Sequence, residues 1–197
     1  MAEQAVTNSI QVYPVTPDRW TDLETLFGPR GACGGCWCMY WRLSRKEFEL
    51  GKGEGNRTAL RALVMACQLP GLLACHNGEP VGWCSIGPRS VFPVLKRSRV
   101  LKPVDEKPVW SVVCFFVHRR FRRQGLTVKM LQEAVRYAAG QGASIVEGYP
   151  VVPRSRNTGA VFIYTGVYTA FQKAGFIEVA RRSETRPIMR FYINEGI

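Results

Sequence analysis

Apolar and polar residues follow two different periods along this chain. Residues 109–117 (VWSVVCFFV) are almost all apolar, which is typical of a strand covered on both faces of a sheet. Residues 126–139 instead repeat apolar side chains at helical spacing and therefore predict an amphipathic helix. Further strands are predicted at residues 10–15, 72–76, 81–86, 144–149, 176–180 and 188–193. The order of these elements predicts a mixed α/β fold.

Local signals add three helical regions. Thr16 precedes Pro17 as a plausible N-cap, which predicts a helix that runs to Phe27. A later region places four apolar side chains on one stripe: Leu60, Leu63, Val64 and Cys67. Near the end of the chain, residues 167–174 bury apolar side chains in a short helix that stops at Gly175. Residues 87–108 carry prolines and basic residues and are expected to form a long excursion between two strands.

Composition narrows the class of protein. A chain of 197 residues, 46% hydrophobic and 21% charged, suits one globular domain over residues 1–197. Its net charge of +12 favours an anionic partner, and the basic clusters lack an RNA-binding aromatic signature, so nucleic acid is not the expected ligand. The first residues do not resemble a signal peptide, and no apolar run is long enough for a membrane span. We therefore expect a cytoplasmic protein without membrane contact.

The seven cysteines are expected to be reduced thiols, because their number is odd and no secretory signal accompanies them. Cys33, Cys36 and Cys38 are spaced closely enough to suggest zinc, but a tetrahedral zinc site needs four ligands. No second pair exists at matched spacing, so His76 or Cys67 would have to supply the fourth ligand. The alternative is a tight glycine loop with small buried thiols. We expect no metal.

The segment that carries chemistry joins the apolar strand to the amphipathic helix. It reads Val-His-Arg-Arg-Phe-Arg-Arg-Gln-Gly-Leu-Thr over residues 117–127. The first turn of a helix has unpaired backbone N–H groups and the positive end of the helix dipole. Gly125 allows a close approach of the backbone, and Arg122 and Arg123 add charge, so the turn predicts an anion site that suits a pyrophosphate. The alternative is a basic solvated turn with an incidental glycine.

This segment resembles the cofactor signature of the GNAT N-acetyltransferase superfamily, Arg/Gln-x-x-Gly-x-Gly/Ala. Arg122, Gly125 and Thr127 stand at its three defining positions, although Thr127 departs from the usual glycine or alanine. Residues 170–176 resemble the late helix of the family that ends in Gly-Phe. The resemblance implies a mixed, mostly antiparallel sheet that is splayed into a V and flanked by helices. It also implies acetyl-CoA as the cosubstrate.

The same resemblance implies where the cofactor binds. Backbone groups of Phe115, Phe116 and Val117 would pair with the pantetheine arm like an added strand. The turn would hold the pyrophosphate through six residues: Arg122, Arg123, Gln124, Gly125, Leu126 and Thr127. An N–H of the strand would donate to the acyl oxygen, and such a donor contributes on the order of 3 kcal/mol.

The chain leaves the family pattern at its catalytic acid. The family often has a tyrosine four residues before the glycine of Gly-Phe, and Phe171 stands at that position here. Tyr168 lies one helical turn earlier and Tyr164 a further turn back, so both are candidate acids. Glu147, a lone carboxylate in an apolar strand, is the candidate base, with an outward-facing edge residue as the alternative. Tyr149 either lines the acceptor site or packs in the core.

The expected reaction is direct attack of a neutral amine on the thioester. The acceptor is a small-molecule amine or a protein amino group, which the sequence does not distinguish, and a homodimer is compatible with it. His118 beside the turn is either a base or a surface histidine. A second function class stays open, since Phe171 has no proton to give. The chain would then be a catalytically degenerate acyl-CoA-binding domain that acts through a partner.

Overall fold

Seven strands form one sheet in the computed structural model, which describes residues 9–155 and 158–193. The strand order is β1-β2-β3-β4-β5-β7-β6. The strands are β1 (Ile10–Pro14), β2 (Gly71–His76), β3 (Glu79–Pro88), β4 (Trp110–Val117), β5 (Ile145–Gly148), β6 (Ile177–Arg181) and β7 (Pro187–Tyr192). Of the neighbouring pairs, β4 and β5 run parallel and the others antiparallel. The predicted mixed, mostly antiparallel sheet is confirmed.

Helices cover both faces of this sheet. They are α1 (Trp20–Phe27), α2 (Arg45–Leu50), α3 (Glu54–Met65), α4 (Pro93–Arg97), α5 (Leu126–Gly140) and α6 (Tyr168–Lys173). The buried side chains of α1 and α3 belong to a core on one face, and those of α5 and α6 to a core on the other. We call these the α1 face and the α5 face. None of the described helices is long and apolar enough to cross a membrane.

The amphipathic pattern of residues 126–139 corresponds to α5. Six of its side chains are buried: Leu126, Met130, Leu131, Ala134, Val135 and Ala138. The helix lies so close to β3 that a Cβ on Gly82 would come 3.0 Å from the sulfur of Met130. Burying this stripe against the sheet is what holds α5 in place, because isolated helices of such length are marginal in water. The start of α5 is thereby fixed at the end of β4.

The sheet splits between β4 and β5. Their pairing runs from Trp110 opposite Val146 to Val112 opposite Gly148, whereas β4 continues to Val117. The split begins at Val113, which is an extra residue in β4 because its two neighbours pair with consecutive residues of β3. Such a bulge bends a strand and ends its pairing. The far half of β4 therefore borders the opening of a V.

The structure corrects the predicted start of the first helix. Thr16 makes no side-chain capping bond, and residues Pro17–Arg19 form a 3-10 turn before α1 begins at Trp20. Helix α2 lies within a region without a helix prediction. It is started by a capping box, in which Ser44 and Glu47 each bond the backbone N–H of the other. That Ser-x-x-Glu spacing was a readable signal in the sequence.

Candidate active site

The turn after β4 exposes a row of backbone donors. Phe121 is buried and anchors a 3-10 turn, after which Arg123 (φ 59°) and Gly125 (φ 76°) both take left-handed conformations. Left-handed residues are rare outside glycine, so Arg123 holds a strained backbone position that favours glycine. The strain lies where the chain must reverse direction into α5. We call residues 119–127 the arginine turn.

Six successive N–H groups of the arginine turn, from residue 122 to 127, donate to no backbone carbonyl of the described chain. Side chains instead tie the turn together. Nε of Arg122 donates to the carbonyl oxygen of Val117 at 3.0 Å, and Nε2 of Gln124 donates to that of Arg120 at 2.6 Å. The turn's arginines form no ion pair with the residues that the structure describes. Free donors, uncompensated charge and a helix N-terminus together make an anion site.

The edge of β4 beyond the split is partly covered. The N–H of Phe115 donates to the carbonyl oxygen of Tyr164 at 2.6 Å. The chain before α6 therefore lies along β4 at the height where the resemblance places the pantetheine arm. Phe116 points to the α1 face, where its ring meets that of Phe27 at 5.8 Å. A ligand that pairs with Phe115 has to replace the carbonyl of Tyr164.

Tyr164 lies at the split. It precedes the start of α6 and packs on the α1 face, with ring centroids 6.3 Å from Tyr40 and 6.5 Å from Trp41. Burial raises the pKa of its hydroxyl well above the usual value. A tyrosine hydroxyl is protonated at neutral pH even at its usual pKa, and burial strengthens that preference. Cys38 and Cys114 are among the groups that influence this pKa.

Tyr168 lies elsewhere. It begins α6 and packs on the α5 face, beside β6. A hydrogen bond to Glu178 raises the pKa of its hydroxyl, and the guanidinium of Arg181 lies 5.5 Å from the centre of its ring. The structure thus places the two candidate acids on opposite faces of the sheet. Tyr164 is the one at the split.

Glu147 is fully buried inside the sheet, so the alternative of an outward-facing edge residue is wrong. Its Oε1 accepts from Nη1 of Arg89 at 2.7 Å and from the hydroxyl of Tyr149 at 2.7 Å. Its Oε2 accepts from Nε of Arg190 at 2.8 Å. Arg190 also binds both oxygens of Asp105, at 2.7 and 3.0 Å. Both carboxylate oxygens of Glu147 are thus engaged by cations.

This buried network connects distant parts of the chain. Arg89 and Asp105 belong to the excursion between β3 and β4, whereas Glu147 and Arg190 lie on β5 and β7. The hydroxyl of Tyr149 completes it, and Tyr149 is fully buried and belongs to the core. Sequence reasoning missed the two arginines and Asp105. Nothing local marks them, because their partners are 43 to 85 residues away.

Phe171 fills the base of the split on the α5 face. Its ring is fully buried and meets Phe115 at 6.3 Å and Phe176 at 5.0 Å. A Cβ on Gly148 would come 2.1 Å from the ring, and one on Gly166 would come 2.7 Å from it. The two glycines therefore leave room for an aromatic side chain. An apolar ring stands where the family often has a hydroxyl.

Residues 28–43, which we call the glycine loop, close the split on the α1 face. Sγ of Cys38 lies 3.1 Å from Sγ of Cys114 on β4, and both side chains are buried. Cys33 is exposed and Cys36 is half-buried. Burial raises the pKa of the Cys38 thiol, which favours the neutral form. Within residues 9–155 and 158–193, no group of three or more His, Cys, Asp or Glu side chains is arranged to hold a metal ion.

His118 and the exposed arginines lie on the side of the arginine turn. The ring of His118 packs 6.4 Å from that of Phe121, and its Nδ1 is buried without a hydrogen-bond partner in the described chain. His76, once a candidate for a fourth zinc ligand, packs 5.2 Å from the same phenylalanine ring. Neither histidine lies at the split. Phe121 thus organises the outer side of the turn.

Several solved structures that resemble this fold are acetyltransferases. PaiA N-acetyltransferase from Thermoplasma acidophilum, in complex with coenzyme A, superposes with a TM-score of 0.52 at 13% identity, over 94% of this chain and 99% of that chain. YncA from Salmonella typhimurium, a putative acetyltransferase with its cofactor acetyl-CoA, superposes with a TM-score of 0.53 at 15% identity, over 96% of each chain. A mutant of an agmatine N-acetyltransferase in its apo form superposes with a TM-score of 0.55 at 12% identity, over 94% of this chain and 100% of that chain. At identities this low, the TM-scores show a shared fold.

Comparison of the sequence with curated proteins finds no significant match. The model of the acetyltransferase (GNAT) family, in contrast, matches residues 37–165. The match begins within the glycine loop, at residue 37, and spans the bulged strand β4, the arginine turn and Tyr164. Because it covers well over half of the 197 residues, and because the fold agrees, the chain belongs to the GNAT acetyltransferase family.

Proposed function

We propose that this protein is a single-domain, acetyl-CoA-dependent N-acetyltransferase that moves the acetyl group to an amine by direct attack. The observation that carries the proposal is the arginine turn, with six successive N–H groups that lack a backbone acceptor. It stands at the end of the strand that borders the split. A pyrophosphate supplies several acceptor oxygens and negative charge in one compact group. That chemistry complements the turn.

The remaining parts of acetyl-CoA fit the edge of β4. In our proposal the pyrophosphate binds the N–H groups of the arginine turn, and the pantetheine arm runs back along β4 towards the bulge at Val113. It pairs with the backbone of residues 115–117 and displaces the carbonyl of Tyr164 from the N–H of Phe115. The same N–H is then free to donate to the acyl oxygen. Such a preorganised donor stabilises the oxyanion of the tetrahedral intermediate.

The chemistry needs an amine nitrogen with a free lone pair. This nitrogen attacks the thioester carbonyl carbon, the C–S bond breaks, and the sulfur leaves as a thiolate that takes up a proton. Tyr164 is our candidate for the donor of that proton, because it lies at the split and a tyrosine hydroxyl is protonated at neutral pH. The nitrogen gives up a proton to water as the amide forms, and the tyrosinate takes one back from water. A positioned acid contributes about 10²–10⁴ in rate.

The buried network gives Glu147 a positioning role in this proposal. With three donors on its two oxygens, the carboxylate is better placed to fix Arg89 and Arg190 than to accept a proton from the substrate. Fixing these arginines holds the excursion of residues 89–109 against the sheet. Tyr168, on the opposite face from Tyr164, takes no part in the proposed chemistry.

The proposal is tested with a melting curve and a free-thiol assay. Acetyl-CoA at about 100 times its Kd should stabilise the fold by about 2.7 kcal/mol. Gly125→Val should abolish this shift, because a branched side chain would occupy the place of the phosphate. Gly142→Val is the matched control: Gly142 also has a left-handed φ, 79°, has nothing within 4 Å of an added Cβ and follows the other end of α5. A melting curve that millimolar acetyl-CoA does not move would contradict the proposal.

The runner-up is a domain that binds acyl-CoA without turnover. Two observations favour it: Phe171 supplies no hydroxyl, and the N–H of Phe115 is already bonded to Tyr164. Both functions predict stabilisation by acetyl-CoA. Only release of the CoA thiol in the presence of an amine separates them. A protein that is stabilised by acetyl-CoA but releases no thiol with any amine would be such a binding domain.

A further inference from the structure

Arg42 on the glycine loop is a half-buried cation that lacks a carboxylate partner in the described chain. Its Nη2 donates to the carbonyl oxygen of Pro70 at 3.1 Å, and its guanidinium lies 4.5 Å from the ring centre of Phe92. Its Nε is buried and has no hydrogen-bond partner. Burial without an acid nearby lowers the pKa of this guanidinium to about 10. The other buried arginines, Arg89 and Arg190, are both paired with carboxylates.

The guanidinium of Arg42 lies over β3, the strand next to β4. Its Nη2 comes 3.8 Å from a Cβ built on Gly87, and Gly87 pairs with Ser111 of β4, next to the last residue of β4 that pairs with β5. The preceding residue, Trp41, packs against Tyr164. The indole Nε1 of Trp41 is likewise buried without an acceptor. Two adjoining residues thus keep unpaired donors, and one of these residues packs against Tyr164.

Unpaired buried donors are rare in proteins, and each of them calls for an explanation. Leaving such a group unsatisfied costs about 1–3 kcal/mol, and more for a charged group. Five buried side-chain atoms of the described chain lack a partner, and those of Trp41 and Arg42 belong to adjoining residues on the face of Tyr164, where a ligand would supply the acceptors. A carboxylate fits, because it accepts two hydrogen bonds from a guanidinium and neutralises its charge.

The segments around the split contain arginines without acidic residues. The glycine loop contains Arg30 and Arg42 but no Asp or Glu, and residues 149–167 also contain no acidic residue. On the turn between β6 and β7, Arg186 bonds to the hydroxyl of Thr165 at 3.0 Å and is among the groups that influence the pKa of Tyr164. Arg186 forms no ion pair with a described residue. The α1 side of the split is therefore cationic.

The two faces of the sheet offer an acceptor different surroundings at the split. On the α5 face the base of the split is filled by Phe171 and Phe115. The α1 face carries Tyr164 and the glycine loop, which meets β4 at Cys38 and Cys114. The cofactor, as proposed above, comes from the arginine turn along β4. Trp41 and Arg42 thus lie on the same face of the sheet as Tyr164.

We propose that the acceptor is an amine that also carries a carboxylate, and that the guanidinium of Arg42 and the indole N–H of Trp41 bind this carboxylate. The inference rests on the proposed function and names the substrate class of that same site. A polycationic amine such as agmatine, the substrate in the name of one structural neighbour, is disfavoured here, since it brings positive charge to a cationic rim.

The test measures release of the CoA thiol from acetyl-CoA by the full-length protein. Acceptors are α- and ω-amino acids, each compared with its own carboxamide, which keeps the shape but loses the charge, together with agmatine. We expect kcat/KM for the best amino acid to exceed that of its carboxamide at least tenfold, and to exceed that of agmatine by more. Equal rates for amino acids and carboxamides, or a preference for agmatine, would overturn the inference while leaving the proposed function intact.

Variants then assign the preference to Arg42. Arg42→Gln should lower kcat/KM for the amino acid at least tenfold, mainly through KM, and lower that for the carboxamide much less, so that the preference for the carboxylate is lost. Arg42→Lys should keep part of the preference, since it keeps the charge. Arg30→Gln removes the same charge from an exposed position of the same loop and should lower the amino-acid rate far less than Arg42→Gln does. The melting shift with acetyl-CoA verifies that each variant is folded.

A carboxylate preference that survives Arg42→Gln would show that another group recognises the acceptor and would overturn the assignment. Absence of thiol release with every amine, despite stabilisation by acetyl-CoA, would overturn the proposed enzymatic function instead, and this inference with it. The two failures are thus distinguished by whether any amine reacts.

Discussion

Neutralising Glu147 should destabilise the fold strongly. Glu147→Gln keeps the size of the side chain but removes the charge that balances Arg89 and Arg190, and it turns one oxygen into an amide donor that faces a guanidinium. Three hydrogen bonds to a fully buried carboxylate are affected, at 2.7, 2.7 and 2.8 Å. Breaking a buried ion pair by removing one partner costs about 3–5 kcal/mol. That is a large share of the roughly 5–15 kcal/mol by which domains are stable.

Urea unfolding measures this effect directly. With a denaturant slope of about 2 kcal/mol per M, a loss of about 4 kcal/mol lowers the midpoint by about 2 M. Glu184→Gln is the matched control, because Glu184 pairs with Arg154 at 3.2 Å while both side chains are more than three-quarters exposed. Exposed pairs contribute roughly 0–1 kcal/mol, so its midpoint should hardly move.

The result also decides what Glu147 does. If Glu147→Gln lowered the free energy of unfolding by less than about 1 kcal/mol but abolished turnover, the carboxylate would be the catalytic base and the positioning role would be refuted. If stability falls as expected, the coupling to Arg190 can be measured with a double-mutant cycle that includes Arg190→Met. Residues within one network show coupling of about 0.5–3 kcal/mol. A coupling near zero would contradict the network.

Three further predictions concern the split and the glycine loop. Tyr164→Phe should lower kcat at least tenfold with little change in the Kd of acetyl-CoA. Tyr168→Phe changes a tyrosine on the other face and should keep full activity. The reverse result would assign the acid to Tyr168. Gly148→Ala should destabilise the fold by about 1–3 kcal/mol in a thermal melt, because its Cβ would overlap the ring of Phe171, whereas Gly140→Ala, with nothing within 4 Å, should be tolerated. Elemental analysis of protein purified without chelator should find far less than one zinc per chain; stoichiometric zinc that is lost on Cys36→Ser would contradict the absence of a metal at the cysteines.

The part of the site that we propose for the cofactor is specified by local sequence. A run of apolar residues, a basic turn with Gly125 and a 3.6-residue apolar stripe specify β4, the arginine turn and α5 in consecutive order, because each depends on residues a few positions apart. The left-handed conformation of Gly125 is likewise a local requirement. The structure adds that Arg123 takes the same left-handed conformation, which an arginine in the sequence does not indicate.

The acceptor end depends on the tertiary structure. Helical spacing made Tyr164 and Tyr168 comparable candidates, but α6 begins at Tyr168, so the orientation of Tyr164 is set by its packing against the glycine loop. The buried partners of Glu147 come from residues 89 and 190, and no periodicity encodes a contact over such separations.

The sequence by itself thus indicated the order of the strands and of the longer helices, the family and the arginine turn, since periodicity, turn residues and a short motif are local properties. Only the tertiary structure decided where the sheet splits, which tyrosine stands at the split, and which cations keep unpaired donors there. The physical reason is that burial and charge pairing are set by neighbours in space. The bulge at Val113 and the approach of the glycine loop to β4 bring those neighbours together.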